Sequence, residues 1–185
     1  MYSIASKSAI RVSLLHERLS LSASEVAEKS ELIFKNFLKN SFEFGTVLLY
    51  LPIKNEVDTK QAIAYFKSKN KKLFLPSYIN KKWQVLSFVD SNKLIEGPFG
   101  ILQPVRGETV DISKIDIVIL PAVGFNKEGY RLGYGKGVYD RLLEGSRALK
   151  VGLAYDFQLT NFKVEPHDIK MDVVVTEEII VRVLH

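Results

Sequence analysis

The residues best placed to do chemistry lie in one stretch, 121–141, which holds five of the chain's eleven glycines: Gly124, Gly129, Gly133, Gly135 and Gly137. Its second half reads Arg131-Leu132-Gly133-Tyr134-Gly135-Lys136-Gly137-Val138-Tyr139-Asp140. Glycines at these positions permit positive φ and let backbone N–H groups approach an anion with no Cβ in the way. Arg131 and Lys136 supply full charges for phosphate oxygens, and a helix starting near Val138 adds unpaired donors and a favourable dipole. Neither standard phosphate loop fits. The dinucleotide fingerprint requires glycine where Val138 stands. A Walker loop requires glycine at Tyr130 and Ser or Thr at Gly137. A phosphate-binding loop of another kind is the expectation, with a plain glycine-rich turn as the alternative.

Other polar residues are ambiguous by themselves. Lys7 and Arg11 stand four residues apart, which puts them on one helical face about 5–6 Å apart at Cβ; alone they read as a solvated charged face. Asp140 reads as a first-turn helix acid favoured by the dipole, Asp168 as an exposed loop acid, and Glu56 as an ordinary loop glutamate. The three histidines are not read as general bases: His16 sits among surface charges, His167 shapes a loop, and His185 is the last residue. Trp83, Phe34, Phe37, Phe66, Phe74 and Phe88 read as core.

These residues need a scaffold, and the hydrophobic period supplies it. An amphipathic helix is expected over 6–19, with Ile10, Leu14 and Leu15 on one side. A Ser22…Glu25 capping box then opens a second helix carrying Val26, Ile33, Phe34, Phe37 and Leu38. A buried strand is expected over 46–51, then a helix capped by Asp58 or Thr59 and carrying Ala62, Ile63, Tyr65 and Phe66. Strands follow at 72–75, 83–88 and 116–120, and proline keeps 97–100 and 103–104 extended or turning. After the glycine-rich loop come a helix near 138–144, a strand at 150–154 and closing strands at 172–176 and 179–183. Strands alternating with helices predict an α/β fold with a mostly parallel or mixed central sheet, and nothing marks a domain boundary within residues 1–185.

Composition narrows the function classes. No cysteine is present, which excludes disulfides and thiolate-bound metals. No apolar run reaches the roughly 18–20 residues of a membrane span, and the first residues lack a secretory signal's apolar core. A cytoplasmic protein with no membrane partner is expected. The net charge of +5 and pI of about 9.2 invite an anionic partner. Lys67, Lys69, Lys71, Lys72, Lys81 and Lys82 account for much of it as solvated turns and a helix end. No nucleic-acid module accompanies them.

The glycine-rich run resembles the signature of the 5-formyltetrahydrofolate cyclo-ligase (5,10-methenyltetrahydrofolate synthetase) family. Three further motifs fall in the family's order: Lys7-x-x-x-Arg11, Asn55-Glu56-Val57-Asp58-Thr59, and His167-Asp168-x-x-Met171-Asp172 followed by Val175-Thr176-Glu177. The resemblance implies a single three-layer α/β domain similar to the sugar-phosphate isomerase and CoA transferase architecture. It implies ATP- and Mg²⁺-dependent closure of 5-formyltetrahydrofolate to 5,10-methenyltetrahydrofolate, by phosphorylation of the formyl oxygen and attack by N10, with release of ADP and phosphate.

Carried over residue by residue, Lys7, Arg11, Arg131, Leu132, Gly133, Tyr134, Gly135, Lys136, Gly137, Val138 and Tyr139 would contact ATP. Leu51, Glu56 and the run from Tyr134 to Val138 would contact the folate, with or without a polyglutamate tail. Asp140 and Asp168 would hold Mg²⁺. Arg131, Lys136 and Tyr139 would carry the chemistry, and Tyr78 could line the folate pocket. The sequence departs from the family at Val138, where an aromatic is common, and at Asn126, where an aspartate is common. A monomer with no nucleic-acid partner is expected. The rivals are a relative that phosphorylates another acylated amine on the same fold, and a basic nucleic-acid-binding protein with salt-dependent, ATP-independent binding.

Overall fold

The computed structural model describes residues 6–89 and 94–183; His185 lies outside them. Two helices open the chain, α1 (Lys7–Ser20) and α2 (Ala23–Leu38). Ser6 caps the first by accepting from the Ala9 N–H at 3.2 Å. The expected capping box is present at the second: Ser22 Oγ accepts from the Glu25 N–H, and the Ser22 N–H donates to the Glu25 carboxylate at 2.8 Å. Then β1 (Thr46–Leu48), α3 (Lys60–Ser68), β2 (Lys72–Ile79) and β3 (Lys82–Ser87) follow. Short strands β4 (Leu94–Glu96), β5 (Leu102–Pro104) and β6 (Thr109–Val110) lead to β7 (Ile117–Pro121). The glycine-rich stretch holds β8 (Gly124–Phe125), β9 (Arg131–Leu132) and α4 (Val138–Leu142), and β10 (Leu149–Leu153), β11 (Val173–Val175) and β12 (Ile180–Arg182) close the fold.

Eight of these strands form one mixed sheet in the order β12-β11-β10-β7-β1-β2-β3-β6. The five from β11 to β2 run parallel, and β12, β3 and β6, each antiparallel to its inner neighbour in the sheet, complete the two sides. Side chains alternate across a strand, and the core divides accordingly. Val47, Ile117, Ile119, Val151, Leu153, Val173 and Val175 face one layer, where Ile33 and Phe37 of α2 and Ala62 and Phe66 of α3 cover them. Leu48, Val118, Leu120 and Val174 face the other, covered by Val138, Tyr139 and Leu142 of α4. Burial on both faces is why these strands read as continuous apolar runs. Each fully buried Leu, Ile or Val contributes about 1.5–3 kcal/mol. The fold is α/β with helices on both faces of the sheet, as expected.

Local differences have local causes. The strand expected at 72–75 runs on through Pro76 to Ile79: the Leu49 N–H bond to the Phe74 carbonyl is the last toward the β1 side, and from Pro76 the strand continues by pairing with β3 alone. Thr59 sits at the α3 N-cap but does not cap it. Its hydroxyl donates to the Tyr50 carbonyl at 2.7 Å, and Asp58 accepts from the Lys60 N–H instead. Three of the surface lysines rest on rings, Lys67 on Phe88, Lys69 on Tyr65 and Lys71 on Phe44, as part of an ordinary solvated face. Among the described residues, no helix is long and apolar enough to cross a membrane.

Candidate active site

From β1 the chain moves to β2 on one side, and from β7 to β10 on the other, so the direction of winding reverses between β1 and β7. Loops leaving the carboxyl ends of such neighbours diverge and open a crevice. A cavity of about 260 Å³ lies there, lined by Tyr50 and Leu51 after β1 and by Pro121 at the end of β7.

The glycine-rich stretch forms one wall. Strands β8 and β9 pair antiparallel across a turn in which Gly129 has φ 85° and Asn126 Oδ1 accepts from the Tyr130 N–H at 2.8 Å. An asparagine therefore supplies the turn's acceptor here. Beyond β9, Gly135 and Gly137 adopt left-handed φ values of 77° and 63°, and Gly137 is the N-cap of α4. Gly133 is needed for another reason: a Cβ there would lie 2.7 Å from an Arg131 terminal nitrogen. Since α4 has five residues, its dipole is a small part of any anion affinity, and loop amides with side-chain cations carry the rest.

Most of the residues singled out in the sequence meet at this cavity: Arg11, Leu51, Glu56, Arg131, Gly133, Tyr134, Gly135, Lys136, Gly137, Val138, Tyr139, Asp140 and Asp168. The guanidinium of Arg131 lies over the Tyr139 ring at 4.8 Å, and its Nε donates to the Pro121 carbonyl at 2.7 Å. Arg11 Nε donates to the Gly133 carbonyl at 2.7 Å, which ties α1 to the loop. Lys136 Nζ lies 5.8 Å from the Phe99 ring at the cavity edge. With Lys54, four cations and three carboxylates border the space.

Lys7, Leu132 and Tyr78 are not on the lining. Leu132 packs into a small core with Ile10, Leu14 and Phe162. Tyr78 packs on Trp83 at 5.2 Å. Lys7 Nζ pairs with Asp168 at 2.7 Å and Glu165 at 2.6 Å. That pairing also corrects the view of Asp168 as an exposed acid, since its side chain is 9% exposed. Glu165, His167 and Asp168 offer ligand atoms within 4.8 Å of one another, and Asp140 is not in that group. A divalent ion fits the lining at Asp140, a carboxylate with no hydrogen bond or close ion pair among the described residues. At Asp168 it fits once Lys7 gives way. His16 is exposed and His167 largely so.

On the same lining, Glu56 is buried, with Oε2 accepting from the Ile53 N–H and Oε1 from the Tyr134 hydroxyl, both at 3.0 Å. Burial pushes its carboxyl pKa up, while Arg18, the Ile53 N–H and Tyr134 pull the other way. Burial also raises the Tyr134 and Tyr139 phenols far above their usual range, so both keep their protons at neutral pH.

Arg18 is the residue that the sequence reading missed. It lies in the apolar stripe of α1, four residues after Leu14 and eight after Ile10, and it is 1% exposed. A cation inside such a stripe, seven residues after Arg11, was the available signal. Phe99 was a second omission; it lines the cavity from a turn at φ 65°.

Residues 3–177 match the 5-formyltetrahydrofolate cyclo-ligase family. The chain is similar to the 5-formyltetrahydrofolate cyclo-ligase of Mycoplasma pneumoniae, 33% identical over 178 residues, covering 93% of this chain and 99% of that one. It is also similar to the solved structure of 5,10-methenyltetrahydrofolate synthetase from Aquifex aeolicus, with 40% identity and a TM-score of 0.85 over 97% of this chain and 93% of that one. The solved synthetase from Mycoplasma pneumoniae gives a TM-score of 0.76 at 30% identity, covering 94% and 99%.

Proposed function

The chain belongs to the 5-formyltetrahydrofolate cyclo-ligase family, and from that premise we propose that it closes 5-formyltetrahydrofolate to 5,10-methenyltetrahydrofolate with ATP as the phosphoryl donor. The observation that carries the reading is the set of groups that lines the crevice. Arg11, Arg131 and Lys136 border it together with the glycine loop, and the buried Glu56 and Leu51 border the same space.

The formyl oxygen is a poor leaving group, so the reaction needs it converted to a phosphate ester. The formyl oxygen attacks the γ-phosphorus and ADP departs. N10 then bonds to the formyl carbon and loses its proton to the departing phosphate, as the C–O bond breaks with release of inorganic phosphate. Such a transfer depends on positioning and charge neutralisation. Arg131, held over the Tyr139 ring, and Lys136 neutralise phosphate oxygens while the loop amides at Gly135 and Gly137 cradle them. The protonated Tyr139 hydroxyl is a hydrogen-bond donor at the same wall. Glu56 accepts from N–H groups of the pterin, and Leu51 packs on its ring.

Asp140 and Asp168 would hold Mg²⁺, which supplies charge neutralisation for the transferred phosphoryl group when bound. Lys7 joins Arg11 on the nucleotide by exchanging Asp168 and Glu165 for phosphate oxygens. The protein acts as a cytoplasmic monomer with one domain over 1–185, on folate with or without a polyglutamate tail, and with no nucleic-acid or membrane partner.

An absorbance assay for the methenyl product, run with 5-formyltetrahydrofolate and Mg-ATP, tests the reading. Product and ADP should appear in equal amounts. Folded protein that yields neither would refute it.

A further inference from the structure

The fold spends a buried cation where an apolar residue would pack. Arg18 is 1% exposed in a stripe otherwise made of Ile10 and Leu14. Removing a guanidinium from water costs several kcal/mol, and an apolar isostere is often neutral or stabilising. Three bonds from three segments hold it. Nε donates to the Lys54 carbonyl and one terminal nitrogen to the Ala122 carbonyl, each at 2.9 Å, while the other terminal nitrogen donates to the Tyr134 hydroxyl. Lys54 and Asn55 both take left-handed φ, at 49° and 56°, in the loop that presents Lys54, and Ala122 directly follows β7.

The consequence falls on Tyr134. Its oxygen accepts from Arg18, so its single proton is directed to Glu56 Oε1 at 3.0 Å. With the Ile53 N–H on Oε2, both carboxylate oxygens are pinned, and each keeps a lone pair for a ligand N–H. We infer that Arg18, acting through the Tyr134 hydroxyl, is a positioning residue that fixes the Glu56 carboxylate in the orientation that receives the pterin. The inference rests on the reading of Glu56 as a folate contact. It assigns the Tyr134 side chain to the folate, through Glu56, and leaves only its backbone to the nucleotide.

The test uses the full chain with four variants, Arg18→Lys, Tyr134→Phe, their double, and Glu56→Gln, measuring kcat and the KM for each substrate. Arg18→Lys and Tyr134→Phe should each raise the folate KM on the order of tenfold, as expected for a hydrogen bond in a charged chain, with the ATP KM held within about twofold. The double variant should be no worse than the worse single variant, because both cut the same link. Factors that multiply in the double, an equal rise in both KM values, or an unchanged folate KM would overturn the inference. Tyr134→Phe leaves Arg18 its two carbonyl bonds, so it carries the test alone where the lysine variant does not fold. If Glu56→Gln leaves the folate KM unchanged, the reading of Glu56 fails and takes this inference with it. If Glu56→Gln is impaired while Tyr134→Phe is normal, this inference fails alone.

Discussion

The guanidinium carbon of Arg131 lies 4.8 Å from the centre of the Tyr139 ring, so a cation and an aromatic face form one unit on the crevice wall. The Nε bond to Pro121 fixes the planar group from behind and leaves the terminal nitrogens as its working end. Arg131→Lys should fail as Arg131→Ala does, because an ammonium cannot stack or present a fork. Either variant should weaken ATP binding by about 10–100-fold, the equivalent of losing one or two charge-assisted hydrogen bonds. Calorimetric titration with a non-hydrolysable ATP analogue decides it. Unaltered affinity would mean that the unit serves packing alone.

Asp140 stands apart because, among the described residues, its carboxylate makes no hydrogen bond or close ion pair. Asp140→Asn should therefore leave the melting temperature close to wild type, as surface substitutions stay within about 0.5 kcal/mol. Turnover should fall by about 10–100-fold, with Mn²⁺ affinity in the presence of ATP falling in parallel. Unchanged turnover in a protein of equal stability would remove Asp140 from the metal's shell.

Gly135 separates strain from clash. A Cβ there meets nothing closer than an Arg11 nitrogen at 3.8 Å, yet φ is 77°. Gly135→Ala should cost about 1–2 kcal/mol of stability from the left-handed backbone. If the loop amides face phosphate, its loss of ATP affinity should exceed what this destabilisation explains. Chemical denaturation and ATP titration on one preparation separate the two effects.

Asp116 gives a pH signature independent of catalysis. Its carboxylate accepts from the Gly45 N–H at 2.7 Å and the Thr46 N–H at 2.8 Å, which holds its pKa below the ordinary 3.8. A depressed folded-state pKa means that the unfolded chain takes up the proton first, so the contribution is present above 3.8 and is lost as pH falls through the lower folded value. Asp116→Ala should lower the melting temperature at pH 7 and approach wild type as the pH falls below 3.8. A difference that stays constant with pH would show that the amide bonds contribute without regard to charge.

How much was legible in the sequence depended on how local each cause is. The Ser22–Glu25 box and the left-handed glycines at 135 and 137 are set by neighbours in the chain, and both are where the residue types put them. The strand at 117–121 was legible because burial on both faces removes every polar interruption, and 149–153 because only Lys150 breaks its apolar run. Arg18 was not, because the carbonyl groups that make its burial tolerable stand 36 and 104 residues away. The same holds for Asp168, whose shelter comes from Lys7 at the other end of the chain. Helix α3 shows a subtler limit: Thr59 has the right residue type and position for a cap, but the Tyr50 carbonyl competes for its hydroxyl.

The bond between Lys7 and Asp168 spans 161 residues. On a ribosome adding roughly 5–20 residues per second, α1 waits about 8–32 s between its own synthesis and that of this partner. A lone helix of 14 residues is marginal in water, so for that interval its apolar stripe, with Arg18 embedded in it, has nothing complete to lie on. The crevice is thus among the last parts of the molecule to be finished. A nascent chain halted before residue 168 would hold most of the central sheet and still lack a closed crevice.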